Sequence, residues 1–469
     1  MSVFDLSSIV KAYDIRGLVE SQLTPEVVRA VAMATVDVLG ISGEGLVVGH
    51  DMRPSSPELA QAVCEGAAHR GAQVTLLGVC STDTVYFASG SLQQAAIMIT
   101  ASHNPPEYNG LKFSRPGAQG VSLHTGLAEI RDRAQQILAE GEPERIPGGR
   151  ILENDLLRDY ARTVRSLVDV EGIRPLRIVV DAANGMAGLT VPAVLGQSVG
   201  LPALPIEVVP LYFELDGTFP NHEANPLDPA NLVDLQRAVR EHQADLGLAF
   251  DGDADRCFVV DERGEPVSPS VVGAMVAARE IARARRVDPD ASVTVLHNLI
   301  CSRAVKETIE ARGATAIRTP VGHSLIKDEM ARTGALFGAE HSAHYYFRDF
   351  WGADNGMLAA LHVIAEVGHQ DHPLSVLAAH YSPYFSSGEI NSRVQDVPAA
   401  LDRIHEAFRD SPIDLLDGIT VAGPESGPEM WWFNVRASNT EPLLRLNVEA
   451  ATEGQMQAIR ERVLELIRA

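Results

Sequence analysis

Short apolar runs alternate with amphipathic stretches along most of the chain, and the first round of this pattern is the clearest. Apolar residues at 46–50, 73–77 and 97–99 are typical of buried strands, and residues 57–69 have the spacing of a helix. Strands that alternate with helices of roughly 10–13 residues predict βαβ units with largely parallel sheets. The first segment is therefore predicted to form an α/β domain.

The same order of elements returns twice. In the second round the predicted strands and helix lie at 178–180, 189–199, 206–210 and 246–250. In the third round they lie at 293–296, 302–312, 315–318 and 335–338. Three rounds at a spacing of roughly 115–130 residues predict three α/β domains of one topology, with mainly parallel sheets.

The pattern changes in the last hundred or so residues. Two strands at 431–436 and 443–448, the turn 437–442 between them and a helix from Glu453 onward predict a small α+β domain with an antiparallel sheet. Segments rich in Pro, Gly, His or Asp mark the boundaries. The predicted domains are 1–148, 149–260, 261–370 and 371–469.

Composition excludes several classes of protein. The 469 residues are 45% apolar and carry a formal charge of −23, which argues against non-specific nucleic-acid binding. The sequence contains no apolar run long enough for a membrane span, and its first residues do not have the pattern of a signal peptide. The four cysteines contain no CxxC pair, which favours a reducing, cytoplasmic location. Because the net charge is strongly negative, a site for an anionic substrate would have to be locally cationic.

A polar loop, Thr100–Pro105, follows the apolar strand 97–99. Its Ser102 and His103, at a strand end in an α/β chain, have the character of groups used in nucleophilic or phosphoryl chemistry. The alternative is that Ser102 and Asn104 only shape a turn.

A second polar loop, 251–256, follows the apolar strand 246–250. Its carboxylates Asp251, Asp253 and Asp255 alternate with small residues and repel one another unless a cation compensates them. Oxygen ligands favour Mg²⁺, because a phosphate can complete its shell. The loop is no EF-hand, since a new apolar strand intervenes before Glu262. A solvated acidic turn is the alternative.

Further charged and polar residues are candidates for a site, although each alone could be a surface or structural group. Three of them are basic: Arg16, Lys112 and Arg256. Glu340, Ser342 and His344 offer donors and acceptors for sugar hydroxyls. His323 could move protons near neutral pH, or could be structural at a helix with Ser324 as N-cap.

The predicted C-terminal hairpin offers a second place for a phosphate. Two arginines on neighbouring strands frame a turn whose hydroxyl, amide and backbone N–H groups suit an anion. These residues are Arg436, Ser438, Asn439, Thr440 and Arg445. An ordinary polar hairpin turn is the alternative.

Four motifs together resemble the phosphomannomutase/phosphoglucomutase family, the α-D-phosphohexomutases, essentially from end to end. In order they are Thr100–Pro105, Asp251–Arg256, Gly338–His344 and Arg436–Pro442. The family has three similar α/β domains and a C-terminal domain around a central cleft. The resemblance implies interconversion of mannose 6-phosphate and mannose 1-phosphate, and of the glucose phosphates, with a hexose 1,6-bisphosphate as intermediate and activator.

The resemblance also implies a role for each candidate residue. Ser102 would be the phosphoserine, and it would share one Mg²⁺ with Asp251, Asp253 and Asp255. The groups around the transferring phosphoryl would be Arg16, His103, Lys112 and Arg256, with Lys112 and His323 as acid/base candidates. Glu340 and Ser342 would bind the sugar, and the 436–440 loop would bind the distal phosphate. A monomer or dimer is expected.

The sequence departs from the family pattern in two places. The sugar loop reads Ala339-Glu340-His341-Ser342-Ala343-His344 where Gly-Glu-Met-Ser-Gly-His is common, and Ile300 stands where many members have a substrate-contacting Lys. These departures leave the preferred hexose open. The alternative functions are a mutase for glucosamine 6-phosphate or another phosphosugar, a Mg²⁺ phosphohydrolase with Asp251 as nucleophile, because Asp-x-Asp after a strand also suits aspartyl-phosphate chemistry, and a non-catalytic phosphosugar-binding protein.

Overall fold

Four β-sheets follow one another along the chain. The computed structural model describes residues 5–425, 427–437 and 443–469, with residues 323 and 324 described by their backbone alone. The first sheet has the order β1-β5-β4-β2-β3-β7, with β6 beside β5. Its strands are β1 (Asp14–Leu18), β2 (Gly45–His50), β3 (Gln73–Val79), β4 (Ala95–Ile99), β5 (Tyr108–Arg115), β6 (Gln119–Gly120) and β7 (Arg150–Glu153). Its helices are α1 (Pro25–Leu39), α2 (Ser56–His69), α3 (Thr82–Leu92) and α4 (Ala128–Glu140).

The second and third sheets have five strands each. The second contains β8 (Leu176–Asp181), β9 (Ile206–Leu211), β10 (Leu246–Phe250), β11 (Cys257–Asp261) and β12 (Pro266–Val267), with helices α5 (Leu157–Leu167), α6 (Ala187–Val194) and α7 (Val233–Glu241). The third contains β13 (Thr294–Asn298), β14 (Thr315–Thr319), β15 (Phe337–Ala339), β16 (Tyr345–Phe347) and β17 (Ala353–Asp354), with helices α8 (Pro269–Val287), α9 (Arg303–Ala311), α10 (His323–Thr333) and α11 (Gly356–Gly368).

The fourth sheet is antiparallel throughout, as the sequence predicts, in the order β18-β22-β21-β20-β19. Its strands are β18 (Phe385–Arg393), β19 (Ile413–Asp414), β20 (Ile419–Ala422), β21 (Trp431–Ala437) and β22 (Leu443–Ala450), and its helices are α12 (Leu374–Ala379), α13 (Val397–Ala407) and α14 (Glu453–Arg468). Among all the helices described, none has the length and apolarity needed to cross a bilayer.

The first three sheets repeat one topology. Each has three parallel strands, and the one that comes first in the chain lies in the middle: β3-β2-β4, β9-β8-β10 and β14-β13-β15. An antiparallel neighbour follows, β5, β11 or β16. The predicted α/β repeat is thereby confirmed. The sheets are mixed, however, because the chain turns back after the third parallel strand and forms an antiparallel pair.

The three predicted polar loops occupy the same position in this repeat. Each joins the last parallel strand to its antiparallel neighbour: residues 100–107 after β4, 251–256 after β10 and 340–344 after β15. Strands β4 and β10 are buried at every residue, which is typical of strands with helices on both faces. A rigid, buried strand therefore presents each loop at the carboxyl edge of its sheet.

Apolar packing joins the second and third units closely. One continuous core runs through both and includes Ile178, Phe250 and Phe337, whereas the fourth unit has a core of its own. Helix α11 packs against α5 and β11 of the second unit as well as against α8. This shared core fixes the second polar loop relative to the third.

Two whole strands lie beyond the predicted ends of the domains whose sheets they join. Strand β7 begins after residue 148 yet pairs in parallel with β3 of the first sheet, and β12 extends the second sheet beyond residue 260. Helix α10 also begins earlier than predicted, at His323, so Ser324 is not its N-cap. The residue before the helix is Gly322, whose φ of 155° is a backbone conformation that residues with side chains rarely adopt.

Candidate active site

Ser102 lies at the point where the first loop leaves its strand. Its φ of 51° is unusual for a residue with a side chain, and its N–H donates to Thr100 Oγ1 at 2.9 Å. The Ser102 hydroxyl donates to Asp251 Oδ2 at 2.8 Å, although the two residues belong to different sheets. A Cβ on Gly252 would lie 2.4 Å from the Ser102 carbonyl oxygen, so a glycine is required where the loops meet.

The three carboxylates of the second loop converge as the sequence predicts. Asp251, Asp253 and Asp255 are completely buried, and one oxygen of each lies within 4.8 Å of the others. Ala254 has a φ of 63°, which turns the backbone so that its neighbours face the same way. Among the residues the structure describes, neither Asp253 Oδ1 nor Asp255 Oδ1 accepts a hydrogen bond. Buried carboxylate oxygens without donors are suited to a hard cation.

Two cations contact this cluster directly. Lys112 Nζ donates to Asp253 Oδ2 at 2.7 Å and to Asp255 Oδ2 at 2.6 Å. Arg256 donates to Asp251 Oδ2 through Nε at 3.0 Å and Nη2 at 2.8 Å. Three carboxylates against two cations leave one net negative charge. A divalent metal would turn this into one net positive charge, which suits a phosphate.

The buried charges shift one another's ionisation. Burial raises the pKa of Asp251 to about 7, with Arg256 opposing the change. Burial acts on Asp253 in the same direction, but Lys112 and the Thr82 hydroxyl outweigh it and hold the pKa of Asp253 below its usual value. For Lys112, burial is outweighed by Asp253 and Asp255, which raise its pKa well above the ordinary value. Lys112 is therefore an ammonium ion in this arrangement.

His103 also lies beside the serine. Its Nδ1 is 3.3 Å from Ser102 Oγ and 2.6 Å from Arg256 Nη2. A guanidinium can only donate, so Nδ1 accepts and the ring proton is assigned to Nε2. Burial, and then the charge of Arg256, lower the pKa of His103 well below its usual value. A neutral imidazole with this tautomer orients the arginine without protonating the serine.

Arg16 completes the first group of predicted residues. It donates from Nε to Asp14 Oδ2 at 2.7 Å and from Nη1 to Asn104 Oδ1 at 2.5 Å. These partners hold its guanidinium against the loop that carries Ser102. One cavity is lined by groups from all three polar regions, among them Arg16, Ser102, His103, Lys112, Arg256 and His344.

The third loop contributes Glu340, Ser342 and His344. Glu340 Oε2 accepts from the Tyr346 hydroxyl at 2.7 Å, and Ser342 Oγ lies 3.0 Å from His344 Nδ1. His344 Nε2 is 4.0 Å from Asp255 Oδ1, which connects the third loop to the second. Ala343, where the resembled family commonly has Gly, has a φ of 67°.

The fourth unit holds two of the predicted phosphate ligands side by side. Arg436 and Arg445 are opposite each other on β21 and β22. Both donate to Glu389 of β18, Arg436 Nη2 at 2.7 Å and Arg445 Nη1 at 3.1 Å. One carboxylate thus holds two like charges together. The predicted Ser438, Asn439 and Thr440 lie outside the described residues, as does the side chain of His323.

Sequence reasoning missed several residues that support the site. Thr82 Oγ1 donates to Asp253 Oδ2 at 2.6 Å, and Arg53, fully buried, donates to the Ser102 carbonyl at 3.0 Å. Lys327 lies 2.8 Å from Asp354 Oδ1 and 3.9 Å from the centre of the Tyr86 ring. The sequence offered one indication of Arg53: the Asp51–Ser56 loop follows β2, at the edge of the sheet where the Ser102 loop follows β4.

A serine held against a carboxylate cluster, repeated α/β units and an arginine pair in a fourth unit define a phosphosugar mutase of four domains. The four segments match, in order, the phosphoglucomutase/phosphomannomutase alpha/beta/alpha domains I (7–140), II (158–264) and III (272–384) and the C-terminal domain (389–466). The chain belongs to the phosphoglucomutase/phosphomannomutase family. The resemblance predicted from the four motifs is confirmed.

Curated relatives match along almost the whole chain. A protein named phosphohexose mutases from Xanthomonas campestris is 38% identical over 461 residues, 97% of each chain. The phosphomannomutase of Escherichia coli K12 is 34% identical over 460 residues, again 97% of each. The phosphomannomutase/phosphoglucomutase of Pseudomonas aeruginosa is 34% identical over 463 residues, 97% of this chain and 94% of its own.

Solved structures agree with the fold. A phosphoglucomutase/phosphomannomutase family protein from Burkholderia thailandensis superposes with a TM-score of 0.84 at 28% identity, over 98% of this chain and 97% of its own. A structure described as a putative phosphomannomutase from Thermus thermophilus gives a TM-score of 0.78 at 23% identity, over 97% and 98%. The chain is thus an enzyme of the mutase class, with an acidic triad able to hold a metal.

Proposed function

We propose that the enzyme interconverts mannose 6-phosphate and mannose 1-phosphate, and the corresponding glucose phosphates, through a phosphoserine at Ser102 and a hexose 1,6-bisphosphate. The names of the relatives support this choice of sugars. The proposed domains are 1–148, 149–260, 261–370 and 371–469, with the two strand exceptions described above. A cytoplasmic location and a monomer or dimer remain predictions from the sequence.

The observation that carries the proposal is the contact between Ser102 Oγ and Asp251 Oδ2 at 2.8 Å. A serine at this distance from a buried acidic cluster can share a cation with it once the serine is phosphorylated. Arg256 Nη2 lies 3.3 Å from Ser102 Oγ, so a positive group is already beside the oxygen that would carry the phosphate. Charge of this kind, fixed before the reaction, contributes most of the rate in phosphoryl transfer.

Magnesium is the cation we propose for the acidic cluster. The donors are oxygens only, and two of them accept no hydrogen bond within the described residues. Asp251, Asp253, Asp255 and an oxygen of phosphorylated Ser102 would hold the ion. Bound there, Mg²⁺ supplies positive charge that offsets the charge on the phosphoryl oxygens in the transition state.

Two phosphoryl groups move in each cycle, one from Ser102 to the sugar and the other from the sugar to Ser102. In the first half, the bond between phosphorus and Ser102 Oγ breaks, a bond to a hexose hydroxyl oxygen forms, and the hydroxyl proton passes to a base. The resulting bisphosphate turns round. In the second half, Ser102 Oγ forms a bond to the phosphorus of the other phosphate, the bond from that phosphorus to the sugar oxygen breaks, and the sugar oxygen takes up the proton that the base had accepted. Added hexose 1,6-bisphosphate loads Ser102 in the same way and acts as an activator.

The basic residues take different parts in these steps. Arg16, Lys112 and Arg256 hold the phosphoryl oxygens, and His103 keeps the Arg256 guanidinium in position. Lys112, an ammonium ion between two carboxylates, serves as a donor and a fixed charge. His323, the other acid/base candidate that the family resemblance implies, is the proposed base for the sugar hydroxyl.

The rest of the sugar phosphate is bound by the third and fourth units. Glu340, Ser342 and His344 would contact the hydroxyls that both orientations of the bisphosphate present. Arg436, Ser438, Asn439, Thr440 and Arg445 would hold the phosphate that is not reacting. Two arginines are suited to this role, because a guanidinium donates to phosphate through two parallel N–H groups.

The test is a substrate panel with purified enzyme, Mg²⁺ and a trace of hexose 1,6-bisphosphate. Mannose 1-phosphate should be converted to mannose 6-phosphate, and glucose 1-phosphate to glucose 6-phosphate. If kcat/KM were higher for glucosamine 6-phosphate or a pentose phosphate than for the mannose and glucose phosphates, that sugar phosphate would be the substrate instead. Steady release of free phosphate would instead indicate hydrolysis with Asp251 as nucleophile. Binding without turnover or phosphoserine would indicate a non-catalytic protein.

A further inference from the structure

A single buried arginine gathers the backbone of the loop that carries Ser102. Arg53 lies between β2 and α2 and is completely buried. Its Nη2 donates to the carbonyl oxygens of Ser102 at 3.0 Å and Asn104 at 2.6 Å. Its Nη1 donates to those of Pro105 at 2.8 Å and Tyr108 at 2.9 Å. One guanidinium thus satisfies four inward-facing carbonyls of a seven-residue segment.

The arginine itself is held on two sides. On its own loop, Asp51 Oδ2 lies 3.3 Å from Arg53 Nε, and Asp51 Oδ1 accepts from the Arg53 backbone N–H at 3.0 Å. From the second unit, the ring of Phe219 covers the guanidinium with its centre 5.1 Å away. A Cβ on Gly217 would lie 2.4 Å from the Arg53 Cα. The backbone at Gly217 therefore also packs tightly against Arg53.

The serine loop needs such support for two reasons. Ser102 has a φ of 51°, a conformation that residues with side chains rarely adopt, and this conformation aims its hydroxyl at Asp251. The loop carbonyls also point into the protein, where an unpaired acceptor is unfavourable. Without Arg53 the loop would lose four hydrogen bonds at once and relax towards a commoner backbone conformation.

We infer that Arg53 is a positioning residue for the reaction: its four hydrogen bonds to the 102–108 loop hold the Ser102 oxygen in line with the acidic cluster. The inference rests on the proposed function, because it concerns the same phosphoryl transfer. Only an arginine fits this position, since four carbonyls in two directions match the planar, branched donors of a guanidinium. Lysine offers a single charged centre on a flexible stem.

The first experiment compares phosphorylation of Ser102 in the wild type, Arg53→Met and Arg53→Lys. Each dephosphorylated protein is mixed with hexose 1,6-bisphosphate and Mg²⁺, and the gain of one phosphoryl group is followed by intact mass in a single turnover. We expect the rate to fall about 100-fold in Arg53→Met, because small displacements of a reacting atom have effects of this size. Arg53→Lys should lie between, and KM for the sugar phosphate should change by less than about threefold.

Arg165 supplies a matched control in the second unit. It also donates to three backbone carbonyls, those of Val194, Gly196 and Pro202, but it holds no residue of the site. Arg165→Met should also lower the melting temperature, by less than Arg53→Met because Arg165 is only half-buried, and should keep the wild-type rate below that temperature. Equal loss of rate in both variants would show a general effect on stability and overturn the inference.

Two further readouts separate positioning from folding. Guanidinium ion added to Arg53→Ala should restore part of the rate, whereas methylammonium should not. Hydrogen exchange of a peptide covering 100–110 should be faster in Arg53→Lys than in the wild type. Unchanged exchange, or a folded Arg53→Met with the wild-type rate, overturns the inference while leaving the mutase intact. A wild type without turnover or phosphoserine overturns the proposed function instead.

Discussion

The Ser102 hydroxyl and the Asp251 carboxylate come from different sheets and lie 2.8 Å apart. Each follows the third parallel strand of its own unit, so the contact joins two copies of one structural position. The two loops can approach because residue 252 is a glycine. The chemistry we propose follows from this juxtaposition of a hydroxyl with a buried acidic cluster.

Thr82 should control metal affinity. Its hydroxyl donates to Asp253 Oδ2 at 2.6 Å, and its N–H donates to the Asp253 carbonyl at 3.1 Å. Thr82→Val leaves a buried carboxylate oxygen with one donor fewer and should weaken Mn²⁺ or Mg²⁺ binding about 10-fold, measured by calorimetry. Thr82→Ser should bind almost as the wild type does. Thr35→Val, which removes a buried hydroxyl bonded to Val31 in α1, is the control and should leave affinity unchanged.

Lys112 should be required for rate. It contacts Asp253 and Asp255 and lines the cavity beside Ser102. Lys112→Met removes one fixed charge from the phosphoryl site and should lower kcat about 10²–10³-fold. The exposed Lys11→Met should have the wild-type kcat. A Lys112→Met enzyme with more than a tenth of the normal kcat would be inconsistent with this role.

Arg436 should affect binding of the sugar phosphate more than the chemical step. A charge-assisted hydrogen bond contributes about 1.5–3 kcal/mol, so Arg436→Met should raise KM by roughly 10–150-fold. The exposed Arg393→Met on β18 changes the net charge equally and should leave KM unaltered. If kcat fell while KM stayed constant, Arg436 would belong to the reacting end of the substrate instead.

Asp83 should make stability depend on pH. Burial raises the pKa of this carboxyl to about 7, although Ser81 and the Tyr160 hydroxyl favour its ionised form. The folded state therefore binds a proton between about pH 4 and pH 7 that the unfolded state has lost, and stability falls as pH rises through this range. Asp83→Asn removes the dependence. The free energy of unfolding of the variant should gain on the wild type by at most about 1.4 kcal/mol per pH unit.

Denaturant titrations at four values between pH 4.5 and pH 8 would measure this difference. Below about pH 4 the carboxyl of Asp83 is neutral in both the folded and the unfolded wild type, so the difference in stability between the two proteins should stop changing with pH there. A constant difference across the range would mean that Asp83 is ionised throughout.

The three site loops were predictable because a simple rule governs them. Apolar runs of strand length end at Ile99, Phe250 and Gly338, and the carboxyl ends of parallel strands share one edge of a sheet. The antiparallel strands that follow were harder to predict, because pairing direction is decided by the turn rather than by the apolar pattern. The expected parallel sheets are mixed for this reason.

The residues that support the site were not predictable from local pattern. Arg53 acts on carbonyls about 50 residues away, and Thr82 acts on Asp253 in another sheet. The position of the Asp51–Ser56 loop at a strand end was the one local indication for Arg53, and nothing in the neighbourhood of Thr82 distinguishes it from an ordinary threonine at a helix start. Long-range contacts of this kind appear only once the units are assembled, and the same holds for strand β7, which joins the first sheet from beyond its predicted end.

Location of the transferred phosphate is the most direct test of the account. The wild-type enzyme is treated with hexose 1,6-bisphosphate and Mg²⁺, digested, and its phosphorylated peptide sequenced by mass spectrometry, with Ser102→Ala in parallel. We predict a single phosphoryl group on Ser102, lost on addition of mannose 6-phosphate and absent from the variant. Turnover that proceeds with no phosphate on Ser102, or with phosphate on Asp251, would contradict the central claim.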